Sequence, residues 1–394
     1  EYNDGFQMGL DDIQIGQPGN DAATLNVSGP SGTDLVGPCD ITGTIQNLGT
    51  EDLTSLTLEW AVLDEAGNIV GNGSTDWTGA VPQDGYIEDF TFGNYDFTAP
   101  GFYSLRLNSS SPNGVEDERH SNDTTWGNYV AINPGQLYEG FEEGILPNNW
   151  VNENGGWTFG SSFPIVGENA AYVQQVDGDD PERLITPQMT YEGNYNLKFM
   201  FSGLNNVYGY GSSTIEFQYS TSPDGGWTTL ETFDLAEYGD VPQLASIDLS
   251  SLDAGDYYFA FKTTSTFDYQ TFFSFAIIDE VLGFVPTNAA EDDLSVTKAL
   301  FPKDFVFEGD EVELKAIVRN MGLNEQSAKT LSFFVDGQPV GTGTTGTIPY
   351  YQYDTVAINY TAGQPGLVDF TVVAQADDYA GNDTASMTGI IDIQ

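Results

Sequence analysis

The sequence predicts an all-β protein made of tandem β-sandwiches, and three observations lead to this prediction. Apolar residues alternate with polar ones in most segments, as at Leu56, Leu58 and Val62 or at Leu197, Phe199 and Phe201. Turn-forming clusters of Gly, Asn, Asp and Pro separate these segments. No amphipathic helix longer than a turn or two is predicted. Short antiparallel strands packed as sandwiches are the natural result.

A long internal repeat predicts the tandem arrangement of these sandwiches. The segment Gln46-Asn47-Leu48-Gly49 recurs as Arg319-Asn320-Met321-Gly322, and Asn122-Asp123-Thr124 recurs as Asn382-Asp383-Thr384. A repeat of this length indicates whole domains rather than a solenoid. We therefore predict matching outer domains at 20–133 and 290–394 and a different middle domain at 136–285. Residues 1–16 resemble the end of the middle domain, so we expect them to be the terminal strand of a preceding copy.

The composition is strongly acidic, with 59 Asp and Glu against 10 Lys and Arg and a formal net charge of −49. Nucleic acids and anionic lipids carry the same sign, so neither is an expected partner. Such a surface requires screening by salt or bridging by calcium outside the cell. A solubilising surface suited to high salt and specific calcium sites are both compatible with this charge.

The cysteine count and the hydropathy bear on the compartment. Cys39 is the only cysteine, so no intrachain disulfide forms. No run of about 18 apolar residues is present, which predicts no membrane insertion. No signal peptide begins at residue 1, and we expect that an exported protein carried one upstream.

The middle domain resembles the bacterial cleaved-adhesin family, also called choice-of-anchor J, which has a MAM-like jelly roll. The resemblance rests on ordered motifs: Phe141-Glu142-Glu143-Gly144 with Leu146-Pro147 and Trp150, Leu184-Ile185-Thr186-Pro187, the stretch 215–221 with Gly226-Trp227, and Ile277-Ile278-Asp279-Glu280-Val281. The outer domains resemble CARDB immunoglobulin-like domains through Val318-Arg319-Asn320-Met321-Gly322 and Phe334-Val335-Asp336-Gly337. The expected order is therefore immunoglobulin-like, jelly roll, immunoglobulin-like.

This resemblance implies a secreted, surface-attached bacterial protein, notably of the Bacteroidetes. The first hypothesis is a non-enzymatic segment of an extracellular adhesin, stalk or fibre. Its partners would be a cell-surface or matrix glycan or protein, or neighbouring copies of itself in a fibre. The alternative is a polysaccharide-binding accessory region of a secreted hydrolase.

A structural calcium site is predicted in the jelly roll. Asp279 shares strand parity with Phe275, Ile277 and Val281, and a core-facing carboxylate is costly unless it is paired or bound to metal. Related jelly rolls link their first and last strands through such a site, which implies Glu142 and Asp279 as ligands. Glu139 and Asp177 could complete it. The alternative is that Asp279 lies at a strand end in water.

Two acidic clusters occupy equivalent places in the outer domains, at 116–123 and 377–383. They are interpreted either as calcium sites or as solvated turns. Tyr208, Tyr210 and Tyr269, together with Tyr350, Tyr351 and Tyr353, are candidates for stacking on a sugar, although core packing is the common role of aromatic residues.

Asp-Thr motifs make Thr124, Thr355 and Thr384 candidate O-glycosylation sites of the Bacteroidetes type. Enzyme classes find little support. The one histidine, His120, has no fitting nucleophile, and zinc sites need several His or Cys ligands. No phosphate-binding glycine loop precedes a helix. The chain is therefore predicted to be non-enzymatic.

Overall fold

The computed structural model describes residues 17–147, 149–175, 182–193, 196–204, 212–238, 240–266, 274–302 and 306–392. Strands make up nearly all of its regular structure, which confirms the all-β prediction. One compact unit ends at Asn133 and a second begins at Pro134. Residues 1–16, with the predicted terminal strand, lie outside the described part of the chain.

The first unit is a sandwich of two sheets. Its three-stranded sheet has the order β1-β3-β6 and its five-stranded sheet the order β2-β8-β7-β4-β5. All pairs are antiparallel except β2 with β8. Short 3-10 helices cover Pro112–Gly114 and His120–Asn122. The strands are β1 Ala22–Gly29, β2 Gly32–Leu35, β3 Gly37–Asn47, β4 Leu53–Leu63, β5 Ile69–Val81, β6 Tyr86–Phe97, β7 Gly101–Ser110 and β8 Thr124–Ile132.

The second unit begins with a two-sheet sandwich in residues 138–286. One sheet follows β10-β13-β19-β14-β21, with β16 joining β17 to β19, and the other follows β11-β12-β20-β15-β18, with β9 beside β20. One short helix, α1, covers Leu235–Tyr238. The strands are β9 Tyr138–Glu139, β10 Val151–Glu153, β11 Trp157–Gly160, β12 Ala170–Gln175, β13 Glu182–Ile185, β14 Met189–Tyr191, β15 Leu197–Leu204, β16 Ser212–Ser220, β17 Thr228–Asp234, β18 Gln243–Ile247, β19 Gly255–Thr266, β20 Ser274–Leu282 and β21 Val285–Pro286.

The same unit continues with an immunoglobulin-like sandwich. Its sheets are β22-β23-β28 and β26-β25-β29-β30, with β24 paired to β27. The strands are β22 Leu294–Leu300, β23 Glu311–Asn320, β24 Gln326–Ser327, β25 Thr330–Val335, β26 Gln338–Thr344, β27 Thr347–Ile348, β28 Tyr353–Thr361, β29 Gly366–Ala374 and β30 Thr384–Ile391.

Each of the three predicted domains contains a hydrophobic core of its own. Aromatic rings dominate the middle core, where Phe199 stacks on Phe217 with ring centroids 5.6 Å apart. The other two cores are centred on residues such as Phe97 and Phe333. Aromatic packing of this kind adds to the burial of apolar surface. The domain boundaries themselves stay predictions.

Candidate functional site

The first strand of the middle domain, β9, meets the later strand β20 at the predicted calcium site. β9 pairs with the end of β20, so that Glu139 lies opposite Val281 and Tyr138 opposite Leu282. This pairing brings Glu139 beside the two consecutive acidic residues Asp279 and Glu280. The pairing of β20 with its other neighbour, β15, shifts by one residue there, and Glu280 has a φ of 53°. The strand therefore bulges at these acids.

Asp279 is fully buried, with 0% of its surface exposed. Its Oδ2 accepts hydrogen bonds from the backbone N–H groups of Ile165 and Val166 at 3.1 and 3.0 Å, and its Oδ1 accepts one from Glu280 at 2.9 Å. Burial raises its pKa to about 7, and these N–H groups offset only part of that rise.

The predicted parity of this strand is wrong at one point. Ala276, Ile278 and Val281 belong to the apolar core, and Ile277 does not. Asp279 therefore shares the face of Ile277, and the bulge separates it from Val281, with which it was expected to alternate. The carboxylate is buried because the segment at Ile165 and Val166 covers that face, not because it points into the core.

Glu280 is a buried acid that the sequence analysis missed. Only 3% of it is exposed, and both carboxylate oxygens lie 2.8 Å from the Tyr138 hydroxyl, which donates to them. Burial raises its pKa to about 7, and the charge of Glu142 contributes to the rise. A signal was present in the two adjacent acids of an otherwise apolar strand, but period-two alternation places only one of them inside.

Glu139 is the third acid of this group, and the residue itself is partly buried. Its Oε1 accepts the N–H of Phe141 at 2.7 Å. Burial is the main cause that raises its pKa to about 8, and the charges of Glu143, Asp279 and Glu280 add to it. We call Glu139, Asp279 and Glu280 the buried acid triad. The groups that lower the pKa of its members are backbone N–H groups and one hydroxyl.

Glu142 takes a different place from the one predicted. Its side chain is exposed, and its Oε2 accepts the N–H of Glu168 at 2.9 Å. Its backbone carbonyl accepts Asn169 Nδ2 at 2.7 Å. Glu142 thus fastens the segment that covers Asp279, and it reaches the buried acid triad only through its charge on Glu280.

No three His, Cys, Asp or Glu side chains in the described ranges form a ready-made set of metal ligands. The carboxylates of the buried acid triad are turned toward N–H and O–H donors instead. Asp177 lies outside the described residues, so its predicted role in the site stays a prediction. In the same part of the chain, no helix is long and apolar enough to cross a membrane.

The candidate sugar-binding residues Tyr208, Tyr210 and Tyr269 also lie outside the described residues. Tyr351 does not fit the expected exposed platform, because only 4% of it is exposed and the Arg319 guanidinium lies 3.3 Å from its ring centroid. Thr124, Thr355 and Thr384 are exposed on strands, and their glycosylation stays a prediction.

One protein-family model matches a segment of the chain. Residues 291–382 match the CARDB family model. No match is found among curated proteins. The match covers residues 291–382, less than half of the chain, so it is a similarity of that segment alone.

Several solved structures are similar to parts of the chain. A CARDB domain from Pyrococcus furiosus, in complex with di-metal ions, is 17% identical and covers 27% of this chain and 100% of its own, with a TM-score of 0.25. The K2 cleaved adhesin domain of Lys-gingipain is 18% identical and covers 38% and 98%, with a TM-score of 0.29. Carbohydrate-binding modules of the β-sandwich superfamily are 13% identical and cover 67% and 98%, with a TM-score of 0.30. Likenesses at these scores carry no argument about function.

Proposed function

We propose that this chain is a non-enzymatic segment of a bacterial cell-surface protein, in which the middle domain is held together by structural calcium. The buried acid triad is the observation that carries this proposal. Three carboxylates share a region from which water is largely removed, and none has an ion pair among those recorded for the described residues. The CARDB match over residues 291–382 supports the modular organisation on which this proposal rests.

The energetics favour a cation at this place. Ionising three buried carboxylates together costs on the order of several kcal/mol, a large part of the roughly 5–15 kcal/mol that stabilises a typical domain. A proton or a hard cation removes that cost. Calcium binds through several carboxylate and carbonyl oxygens in a flexible cage, which suits Glu139 and Asp279 with water completing the shell. The residues present therefore fit the ion chemically, provided that the acids exchange N–H contacts for it.

The role of such an ion follows from the strand pairing. Glu139 belongs to the first strand of the domain, β9, and Asp279 and Glu280 belong to β20, close to the end of the domain. An ion shared between them would join the two ends of the domain, which is useful in a module that transmits pulling force along a surface protein. The domain then acts as a spacer or adhesive module and performs no chemistry.

Thermal unfolding of the full chain at low salt, with calcium or with a chelator, tests this proposal. Millimolar calcium should raise one melting transition by about 5 °C, because a ligand that binds only the folded state stabilises it. Glu139→Gln should abolish that rise. Glu192→Gln removes a charge from an exposed position of the same domain and should leave the rise intact. A wild-type melting curve that does not change with calcium would reject the structural ion.

A further inference from the structure

In both immunoglobulin-like domains, three aspartates and one asparagine at equivalent positions join the start of the first strand to the loop before the last strand. The first acidic cluster comprises Asp21, Asp117, Asn122 and Asp123, and the second comprises Asp293, Asp377, Asn382 and Asp383. Asp117 Oδ2 accepts the N–H of Ala22 at 2.9 Å, and Asp377 Oδ2 accepts that of Leu294 at 2.7 Å. The remaining oxygens of Asp117 and Asp377 accept the N–H groups of Arg119 and Tyr379.

The amide of each cluster is held in the same way. Asn122 Nδ2 donates to Asp21 Oδ1 at 2.8 Å, and Asn382 Nδ2 donates to Asp293 Oδ1 at 2.8 Å. Each asparagine therefore lies against an aspartate with its amide nitrogen satisfied. The carbonyl oxygen of each amide, and in the first cluster also the second oxygen of Asp21, are left for another partner.

Five carboxylate and amide oxygens of the two clusters are buried without a partner in the described part of the chain. In the first cluster, Asp21 Oδ2, Asn122 Oδ1 and Asp123 Oδ1 are buried from solvent and accept no hydrogen bond. In the second, the same holds for Asn382 Oδ1 and Asp383 Oδ1. The four aspartates at issue are more than nine-tenths buried, with exposures of 1% for Asp21, 7% for Asp123 and 6% for both Asp293 and Asp383. Leaving buried acceptors unpaired is unfavourable, so buried oxygens of this kind normally have a partner.

A protein cation does not fill this role in both copies. His120 Nδ1 lies 3.1 Å from Asp123 Oδ2 and is the partner of that oxygen. Asp123 Oδ1 still has no partner. The corresponding loop position in the second cluster is Ala380, as the shared Asn-Asp pair two residues later shows. The feature that recurs is thus a set of unpartnered oxygens and not a basic side chain.

We propose that each acidic cluster binds one divalent cation, such as Ca²⁺, through its unpartnered oxygens. The ligands would be Asp21, Asn122 and Asp123 in the first domain and Asp293, Asn382 and Asp383 in the second. Both carboxylate oxygens of Asp117 and of Asp377 already accept backbone N–H groups. Two carboxylates and one amide oxygen per cluster therefore remain as ligands. Water would supply the other ligands that Ca²⁺ takes. These sites are separate from the buried acid triad.

The expected consequence is local. Asp21 and Asp293 directly precede the first strands, β1 and β22. Asp123 and Asp383 directly precede the last strands, β8 and β30. An ion at each cluster would join these strand starts. The backbone there should open less often to solvent when calcium is present.

Hydrogen exchange read by mass spectrometry on the full chain tests this inference without depending on the middle domain. Calcium should slow exchange in residues 20–24 and 115–124 and in residues 292–296 and 375–384. Asp123→Asn should abolish the effect in the first domain and keep it in the second, and Asp383→Asn should do the reverse. Asp52→Asn, at an exposed position, is the matched control and should keep both.

Counting bound ions by native mass spectrometry gives a second readout that does not rely on the variants' stability. Each single variant should hold one calcium ion fewer than the wild type, and the double variant two fewer. Equal ion counts in the wild type and the double variant, or wild-type exchange unaffected by calcium at both clusters, would overturn the inference and leave water or a shared proton as the partner of these oxygens. If Glu139→Gln leaves the calcium-dependent rise in melting temperature intact while these clusters behave as expected, only the ion in the middle domain is rejected.

Discussion

Asp279 and Glu280 are consecutive residues of one strand, yet both of their carboxylates are buried. Neighbouring side chains of a strand point to opposite faces of the sheet, and here a different part of the chain buries the carboxylate on each face. The Asp279 carboxylate lies under the backbone of Ile165 and Val166, whereas the Glu280 carboxylate meets the Tyr138 hydroxyl. The bulge at Glu280 accompanies this arrangement, which concentrates negative charge where β9 meets β20.

Removal of the Asp279 carboxylate should be strongly destabilising. Asp279→Ala leaves the N–H groups of Ile165, Val166 and Glu280 without their acceptor, and buried unpaired donors cost about 1–3 kcal/mol each. We expect a loss of about 3 kcal/mol or more from the middle domain, measured by calorimetry on the full chain in calcium. Asp256→Ala, at an exposed position of the same domain, should cost less than about 1 kcal/mol; an equal effect of the two substitutions would contradict the assignment.

The stability of the calcium-free protein should fall as the pH rises. The pKa values of Glu139, Asp279 and Glu280 are raised in the folded state, to about 8, 7 and 7, above their unfolded values. Their contribution is therefore complete below about pH 4 and is lost as the pH rises through 7 to 8. Melting of the middle domain in chelator should occur at a lower temperature at pH 8.5 than at pH 6.

Calcium and Glu139→Gln provide the controls for this pH dependence. Millimolar calcium should flatten it, because the ion replaces the protons. Glu139→Gln should make it shallower in chelator, and Glu192→Gln should not change it. A melting temperature in chelator that rises between pH 6 and pH 8.5 would be incompatible with these buried acids.

Asn47 and Asn320 should be equally important in their two domains. Each Nδ2 donates to two backbone carbonyls at 2.9 Å, and each Oδ1 accepts the N–H of the glycine two residues later. Replacement by alanine should cost about 2–4 kcal/mol, because several buried groups lose their partners. Calorimetry should show Asn47→Ala and Asn320→Ala lowering different transitions, and the exposed Asn72→Ala lowering none. Lowering of one shared transition by both variants would argue against independent roles.

Arg319→Lys should weaken the C-terminal domain. The guanidinium lies 3.3 Å from the ring centroid of Tyr351 and 4.6 Å from that of Tyr353, and its Nε donates to the Tyr351 carbonyl at 3.1 Å. A lysine cannot reproduce this planar stacking. We expect a loss of about 1 kcal/mol by denaturant unfolding. Lys298→Arg, the reverse exchange at an exposed position, should be neutral, and a loss of similar size there would refute the stacking argument.

Parts of the candidate site followed from local patterns. Asp279 was identified because an acid interrupts an apolar strand, and the structure does bury it. Glu139 was identified through the resemblance and proves to be adjacent to it. Glu142 could not be placed correctly, because its distance from the buried acids depends on a loop that returns from residues 165–169. Glu280 was missed because a bulge depends on pairing with β15, which is remote in sequence.

By itself, the sequence determined the all-β class, the repeated asparagine and aspartate positions, and the excess of negative charge. These properties follow from alternation, turn residues and composition, each of which acts over a few neighbouring residues. Only the tertiary structure decided which acids lose their water and which oxygens lack a partner. Burial and hydrogen bonding of a carboxylate depend on segments more than a hundred residues away, such as Ile165 against Asp279 and Asp21 against Asn122.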